Sequence, residues 1–186
     1  MAKNRLSSED WLAAGFRALS SHGPAALKAE PLARALGTTK GSFYWHFADV
    51  PSFHAAMLAL WEARAFEDVT AELETETNPV KRLRALGNVA AAGTPKEFGG
   101  DGTEPAMRAW SRENSTVAQA IQRVDARRMR YIADILAEIG LTNSDLSRLV
   151  YGAYIGMQDL TTRDATPNVE AMGTLIDLIL ALYETE

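Results

Sequence analysis

The sequence contains no cysteine, so it can form neither a disulfide framework nor a thiolate metal site. No run approaches the roughly 18 consecutive apolar residues that a membrane-spanning helix needs. The N-terminus, MAKNRLSSEDW, has basic residues but no apolar stretch after them, which excludes a signal peptide. Together these absences predict a cytoplasmic protein.

The sequence also has few groups of residues that could bind a metal or a phosphate, or perform catalysis. The three histidines, His22, His46 and His54, share no metal-ligand spacing such as His-x-x-x-His. The GGDG at 99–102 lacks the Lys-Ser/Thr and the flanking strand of a phosphate-binding loop, so we interpret it as an ordinary loop. No Ser-His-Asp grouping can be argued from residue order. We therefore expect no metal, no cofactor and no enzymatic activity.

Basic residues are outnumbered, but unevenly along the chain. The net charge is −5, which by itself argues against a nucleic-acid partner. Residues 1–50 nevertheless carry six basic and four acidic residues, whereas the remainder carries 13 and 20. This asymmetry indicates a nucleic-acid-facing N-terminus on an acidic body.

The residue pattern of the sequence predicts helices. Its 186 residues are 47% hydrophobic, enough for one compact unit or a small domain fused to a larger one. Apolar residues recur at three- and four-residue spacing, and no stretch alternates with a period of two. The sequence thus predicts an all-α protein. Capping residues, glycines and prolines predict about nine helices, beginning near residues 8, 28, 39, 49, 78, 107, 115, 143 and 168.

The second and third predicted helices are short and meet at Gly37. Two short helices joined by such a turn are typical of a helix-turn-helix, whose second helix enters the major groove of DNA. The apolar spacing predicts a three-helix core. Its expected members are Leu12, Phe16, Leu19, Leu32, Leu36, Phe43 and Phe47.

The polar residues of the stretch GTTKGSFYWHF then share the outer face. Helix-start N–H groups beside Thr38 and Thr39 suit a phosphate, because the positive end of the helix dipole lies there. Tyr44 and His46 can donate to phosphate oxygens, and Trp45 can lie against a sugar or a thymine methyl group. An amphipathic helix with core aromatics is the alternative that this spacing leaves open.

The segment PLARALGTTKGSFYWHFAD resembles the DNA-binding signature of TetR-type (tetracycline-repressor-like) transcriptional regulators. The resemblance rests on the Leu-Ala of the second helix, the Gly before the turn and the Tyr-x-His-Phe that ends the third. It implies three DNA-binding helices at 1–50 and a ligand-binding and dimerisation domain at 51–186. It also implies base or nearby backbone contacts for Lys40, Gly41 and Ser42, phosphate contacts for Tyr44 and His46, and Trp45 in the groove.

Two positions depart from the family pattern. The family usually has a lysine at the start of the fourth helix, where this chain has Val50. It usually has Ser or Thr at the start of the second helix, where the nearest residue is Ala29. Both departures weaken binding to the phosphate backbone, and Lys3 and Arg5 in an N-terminal arm are candidates for compensating it.

The resemblance further implies a small-molecule effector bound among helices four to eight, which swings the fourth helix. Apolar and aromatic side chains with a few polar anchors suit such a ligand. We expect a mostly apolar or aromatic effector, although each candidate could equally be plain core or surface. The candidates are Trp61, Met107, Arg108, Trp110, Tyr151, Tyr154 and Gln158.

The last two predicted helices favour a homodimer. Gly152 and Gly156 form a stripe of small residues at four-residue spacing, and the ninth helix is apolar on more than one side. The expected four-helix interface takes two helices from each subunit, with packing inside one chain as the alternative. Its expected members in the ninth helix are Leu175, Ile176 and Ile179.

The sequence therefore predicts a ligand-responsive repressor that binds double-stranded operator DNA as a dimer. Two alternatives remain: an all-helical enzyme, and a protein of the same fold that acts through a partner without binding DNA. Val50 and Ala29 keep the second alternative open.

Overall fold

The computed structural model describes residues 6–183, and this part of the chain contains nine helices and no strand. The all-α prediction is confirmed. In the N-terminal third, α1 is Ser8–His22, α2 is Ala29–Ala35 and α3 is Lys40–Tyr44. Helix α4 covers residues 50–73, as Val50–Glu62, a π-helical turn Ala63–Glu67 and Asp68–Leu73.

The remaining helices follow the predicted starts closely. They are α5 (Pro79–Ala92), α6 (Thr103–Ser111), α7 (Ser115–Glu138), α8 (Ser144–Asp164) and α9 (Val169–Tyr183). Three short 3-10 turns lie between helices, at Pro24–Ala26, Lys96–Phe98 and Gly100–Gly102. The GGDG segment at 99–102, interpreted as a loop, contains the last of these turns, and α6 begins four residues earlier than predicted.

Local capping explains why the helices begin where they do. Ser7 accepts a hydrogen bond from the backbone N–H of Asp10, whose carboxylate accepts one from the backbone N–H of Ser7, which makes a capping box. Asn78 and Asn143 accept from Lys81 and Asp145 in the same way. Each cap satisfies N–H groups that lack a partner within the helix.

The chain divides into two compact units. The first comprises residues 1–61 and 94–119, and the second comprises residues 62–93 and 120–186. Two of the three boundaries fall inside α4 and α7, and the third follows the end of α5. By contact, the first unit therefore takes in α6 and the beginning of α7 as well as the N-terminal helices.

The first unit has an aromatic core. Between residues 8 and 62 its largest fully buried side chains are Trp11, Phe16, Leu19, Leu27, Leu32, Phe43, Phe53 and Met57. Six of these eight come from the first 50 residues, and Phe53 and Met57 come from α4. The predicted core residues Leu12 and Leu36 are only half-buried.

The glycine-rich segment packs against α1 within this unit. Ser20 donates a hydrogen bond to the carbonyl of Gly99 (2.9 Å), and Arg17 donates to the carbonyl of Glu97 (2.8 Å). Gly99 has φ of +93°, and a Cβ there would lie 2.8 Å from the carbonyl oxygen of Phe16. Glycine is therefore required for this close backbone approach. The segment at 95–103 serves as packing, which agrees with its interpretation as a loop.

The second unit is built around α5, α7, α8 and α9. Its core contains Leu83, Ile132, Ile135, Leu136, Ile139, Val150, Tyr151, Ile176, Ile179 and Leu180. Three arginines of α7 contact α4 at its π-helical turn and the residue before it: Arg123 pairs with Glu62, Arg127 with Glu67, and Arg128 donates to the carbonyl of Ala65. These contacts keep α4 seated on α7 within the unit.

Candidate nucleic-acid interface

The turn between α2 and α3 is set by backbone geometry. Gly37 has φ of +62°, in the left-handed region that glycine occupies without strain. The backbone N–H of Thr38 returns to the carbonyl of Ala33 at 2.9 Å. Thr39 then caps α3, because its hydroxyl oxygen accepts from the backbone N–H of Ser42 at 3.3 Å. The turn and the cap fix where the third helix begins.

Phe43 anchors the inner face of α3. It is fully buried and meets Trp11 edge-on, with 5.4 Å between ring centroids. The rings of Phe47 and Phe53 each lie 5.3 Å from it. Such aromatic pairs add stabilisation beyond the burial of their area. The third helix is thereby held to both α1 and α4.

The outer face of α3 carries side chains that are exposed to solvent. Trp45 is 80% exposed and Tyr44 is 46% exposed, although both are large aromatic side chains. The ammonium group of Lys40 lies 6.0 Å from the centre of the Tyr44 ring. Gly41 is exposed, and a Cβ there would meet only the hydroxyl oxygen of Thr39, at 3.6 Å. The backbone at Gly41 is therefore open to close approach.

The remaining predicted DNA contacts lie around this face. Thr39 is exposed, whereas Thr38, Ser42 and His46 are half-buried. His46 follows the last turn of α3, which ends at Tyr44 and not near residue 47 as predicted. Its ring lies 6.5 Å from that of Trp11. All eight candidate contacts thus fall within one stretch of nine residues at the turn and α3.

The two positions that depart from the family pattern are now placed. Val50 is the first residue of α4, partly exposed, next to Asp49. Two hydrogen bonds from Ser52, first from its hydroxyl and then from its backbone N–H, hold the pKa of Asp49 below its usual range. Ala29 is buried at the start of α2, and no side chain caps that helix. Lys3 and Arg5 lie outside the described residues.

Four of the candidate effector residues belong to the first unit. Trp61, Met107 and Trp110 are buried apolar side chains. Arg108 forms an ion pair with Glu104 one turn earlier in α6, at 2.7 Å, and Glu104 is itself 5% exposed. Sequence reasoning did not single out Glu104, although its i, i+4 spacing to Arg108 was the available signal.

The other three candidates belong to the second unit. Tyr151 is buried and donates to a carboxylate oxygen of Asp125 at 2.7 Å. Tyr154 stacks on Tyr151, with ring centroids 5.8 Å apart, and Gln158 is buried one turn further along α8. Within this unit the three lie along one face of α8.

The candidate dimer residues differ in their surroundings. Gly152 and Gly156 are exposed, and a Cβ at either would meet no atom within 4 Å. Ile176 and Ile179 are buried in the core of their own unit, and Leu175 is half-buried against it. The exposed large apolar side chains of these two helices are instead Leu149, Leu160, Val169, Leu178 and Leu182.

Within residues 6–183, no three His, Cys, Asp or Glu residues lie close enough together to hold a metal ion. None of the helices described there is long and apolar enough to cross a membrane.

The helix-turn-helix segment is similar to a known protein family. The family model described as "Bacterial regulatory proteins, tetR family" matches residues 12–49. No curated protein sequence matches the chain.

Solved structures extend the likeness to the whole fold. A transcriptional regulator from Rhodococcus sp. Rha1 superposes with a TM-score of 0.77 at 16% identity, covering 96% of each chain. SmeT, the repressor of the Stenotrophomonas maltophilia multidrug efflux pump SmeDEF, gives 0.68 at 18% identity, covering 96% of this chain and 90% of its own. A tetR-family transcriptional regulator from Streptomyces coelicolor gives 0.63 at 18% identity, covering 94% and 79%.

The match at 12–49 covers α2, α3 and most of α1, and it includes Tyr44 and Trp45. The chain thus has an all-α fold with an N-terminal helix-turn-helix of the DNA-binding type. Its helix-turn-helix segment is that of the TetR-type regulators, and its fold is theirs as well.

Proposed function

We propose that the protein represses transcription by binding operator DNA as a homodimer and is released by a small, mostly apolar effector. The observation that carries the DNA-binding part is the contrast on α3. Phe43 is fully buried, while its neighbours Tyr44 and Trp45 are exposed and Tyr44 lies beside Lys40. Exposed aromatic side chains next to a lysine on a rigidly anchored helix are suited to the groove and backbone of DNA.

Each residue of this face has a proposed role. Tyr44 and His46 contact phosphates, and Trp45 enters the major groove. Lys40 and Ser42 contact base edges or the nearby backbone, where Gly41 permits close approach. Thr38 and Thr39 lie beside a phosphate at the start of α3.

The dimer supplies the second reading helix. Operators for helix-turn-helix dimers present two half-sites about 34–36 Å apart, and two copies of α3 are needed to occupy both. In α8, Leu149, Gly152, Gly156 and Leu160 recur at helical spacing and all are exposed. We propose this stripe, with Leu178 and Leu182 of α9, as the surface that meets a second copy. Leu175, Ile176 and Ile179 support it from beneath.

The effector acts through differential affinity. A ligand can change operator binding only if it binds two arrangements of the dimer unequally. The proposed effector contacts in the first unit are Trp61, Met107, Arg108 and Trp110, whereas Tyr151, Tyr154 and Gln158 of the second unit remain predictions from the sequence. The functional division remains a DNA-reading part at 1–50 and a ligand-binding part at 51–186. The protein would then work where the DNA is, in the cytoplasm.

Selection of bound duplexes from a random DNA pool tests the proposal most directly. A repressor of this kind recovers a two-half-site sequence, and its affinity falls steeply with salt because phosphate contacts release counterions. Small molecules are then screened for release of the recovered duplex. Failure to retain any DNA at low salt would refute the DNA-binding role and favour a protein that acts through a partner.

Tyr44→Phe should weaken binding to all sequences by a similar factor. Only the phenolic O–H is lost, and a phosphate contact carries no base information. The measurement is the affinity for the selected duplex and for variants with single base changes. An altered order of preference among those variants would contradict the role assigned to Tyr44.

Val50→Lys should strengthen DNA binding and steepen its salt dependence. A lysine at the first residue of α4 adds one phosphate contact, which changes the slope of log affinity against log salt by about one unit. Val50→Met is the matched control, because it adds length without charge and should leave the slope unchanged. An identical slope for the lysine and methionine variants would show that this end of α4 does not approach a phosphate.

A further inference from the structure

His54 lies one turn into α4 and contacts two other elements of the first unit. Its Nε2 atom lies 3.1 Å from the carbonyl oxygen of Leu27, so Nε2 carries the proton and donates it. Its ring also meets the indole of Trp110 in α6 edge-on, with centroids 5.1 Å apart and planes at 84°. One partly buried side chain thus joins α6 to the residue that precedes the N-cap of α2.

The carbonyl of Leu27 lies immediately before the start of α2, the first helix of the helix-turn-helix. The Leu27 side chain is 1% exposed, which fixes the residue in the core. The next residue, Lys28, is the N-cap of α2 and makes no capping hydrogen bond with its side chain. The bond from His54 therefore holds the chain immediately before a helix start that has no side-chain cap of its own.

The other end of this connection is tightly packed. Trp110 is 5% exposed and Met107, one turn earlier in α6, is fully buried. Closely packed side chains transmit a displacement because there is no void to absorb it. A shift of the Trp110 indole must therefore displace the ring of His54 or break the contact between them.

We infer that His54 is a positioning residue that links α6 to the start of α2, so that an effector touching Trp110 alters the helix-turn-helix through the Leu27 carbonyl. This inference rests on the proposed function and gives it a route inside the first unit. The route differs from a swing of α4 alone, because it predicts a change localised at the start of α2.

Replacing His54 by either of two amide side chains of different length tests the hydrogen bond to Leu27 itself. In His54→Gln, the amide N–H group reaches about as far as Nε2 and can still donate to Leu27. In His54→Asn, the same group is one methylene shorter and cannot reach. The matched control is His22→Asn, at an exposed histidine at the end of α1.

The first readout is hydrogen exchange in the free full-length protein. His54→Asn should speed exchange of the amides of residues 28–35, whereas His54→Gln and His22→Asn should leave them at the wild-type rate. Equal protection of α2 in the asparagine and glutamine variants would overturn the inference. This measurement needs no DNA, so it remains decisive if the proposed function fails.

The second readout is affinity for the duplex recovered from the random pool. His54→Asn should lower it about 3- to 10-fold, the usual net effect of one hydrogen bond, and His54→Gln should restore it. A purely structural role would lower thermal stability and leave the affinity of the folded protein unchanged, which would count against the inference. A wild-type protein that binds no duplex would instead refute the proposed function.

The third readout tests the link to α6. Trp110→Leu should change operator affinity in the wild-type background, and the change should largely disappear in the His54→Asn background, because the route is already broken. Such non-additivity is the signature of two residues acting through one contact. Full additivity of the two substitutions would show that Trp110 and His54 act independently and would overturn the inference.

Discussion

Phe43→Ala is expected to destabilise the first unit by about 3–5 kcal/mol, the range found when a buried Phe is cut to Ala. Phe43 is fully buried, and its ring packs against Trp11, Phe47 and Phe53. Removing it leaves a cavity where α1, α3 and α4 meet, and four aromatic pairs are lost with it, because Tyr44 also meets the Phe43 ring edge-on. Denaturant unfolding followed by tryptophan fluorescence and by circular dichroism measures the loss.

The neighbouring aromatic residue provides the control. Trp45→Ala removes a larger side chain from the same turn, but one that is 80% exposed, so stability should change by no more than about 0.5 kcal/mol. Its operator affinity should fall nonetheless, because a groove contact is lost. A similar loss of stability in both variants would mean that Trp45 also packs, and the division of α3 into an inner and an outer face would be wrong.

Gly156→Leu is expected to convert the proposed dimer to a monomer without harming the folded chain. Gly156 is exposed, and a Cβ there would meet no atom of its own chain within 4 Å. Glycine costs roughly 0.8–1 kcal/mol relative to alanine inside a helix, and leucine is among the better helix formers, so the isolated subunit should be at least as stable. Across a closely packed interface, however, the added isobutyl group would push the two α8 helices apart.

Sedimentation velocity measures the oligomeric state. The affinity for the duplex recovered from the random pool measures the effect on DNA binding. Losing simultaneous engagement of two half-sites should lower operator affinity by about 100-fold or more. Ala126→Leu, at an exposed position of α7, is the matched control and should remain dimeric. A Gly156→Leu protein that sediments as a tight dimer would move the interface away from α8.

The local starts and stops of the helices could be predicted because their causes are local. The caps at Ser7, Thr39, Asn78 and Asn143 bond to backbone N–H groups two or three residues ahead. Such bonds depend on the residue types in one short stretch, which can be read directly. The π-helical turn at Ala63–Glu67 could not be predicted, since its contacts come from arginines about 60 residues later in the chain.

The candidate interface was predictable for a similar reason. The alternation of Phe43 with Tyr44 and Trp45, after a glycine turn, already separates an inner from an outer face. Trp11 was missed in favour of Leu12, because both are apolar neighbours on α1. Only the position of Phe43 decides that Trp11 is the buried residue.

By itself, then, the sequence determined an all-α chain with a helix-turn-helix at its N-terminus, because periodicity and capping act over a few residues. Only the tertiary structure decided which apolar faces are buried within the chain. Ile176 and Ile179 pack in the core, while Leu178 and Leu182 on the same helix remain exposed. It also decided that His54 bonds to a carbonyl 27 residues away. Contacts between residues far apart in the chain depend on how helices pack, and no local pattern encodes that packing.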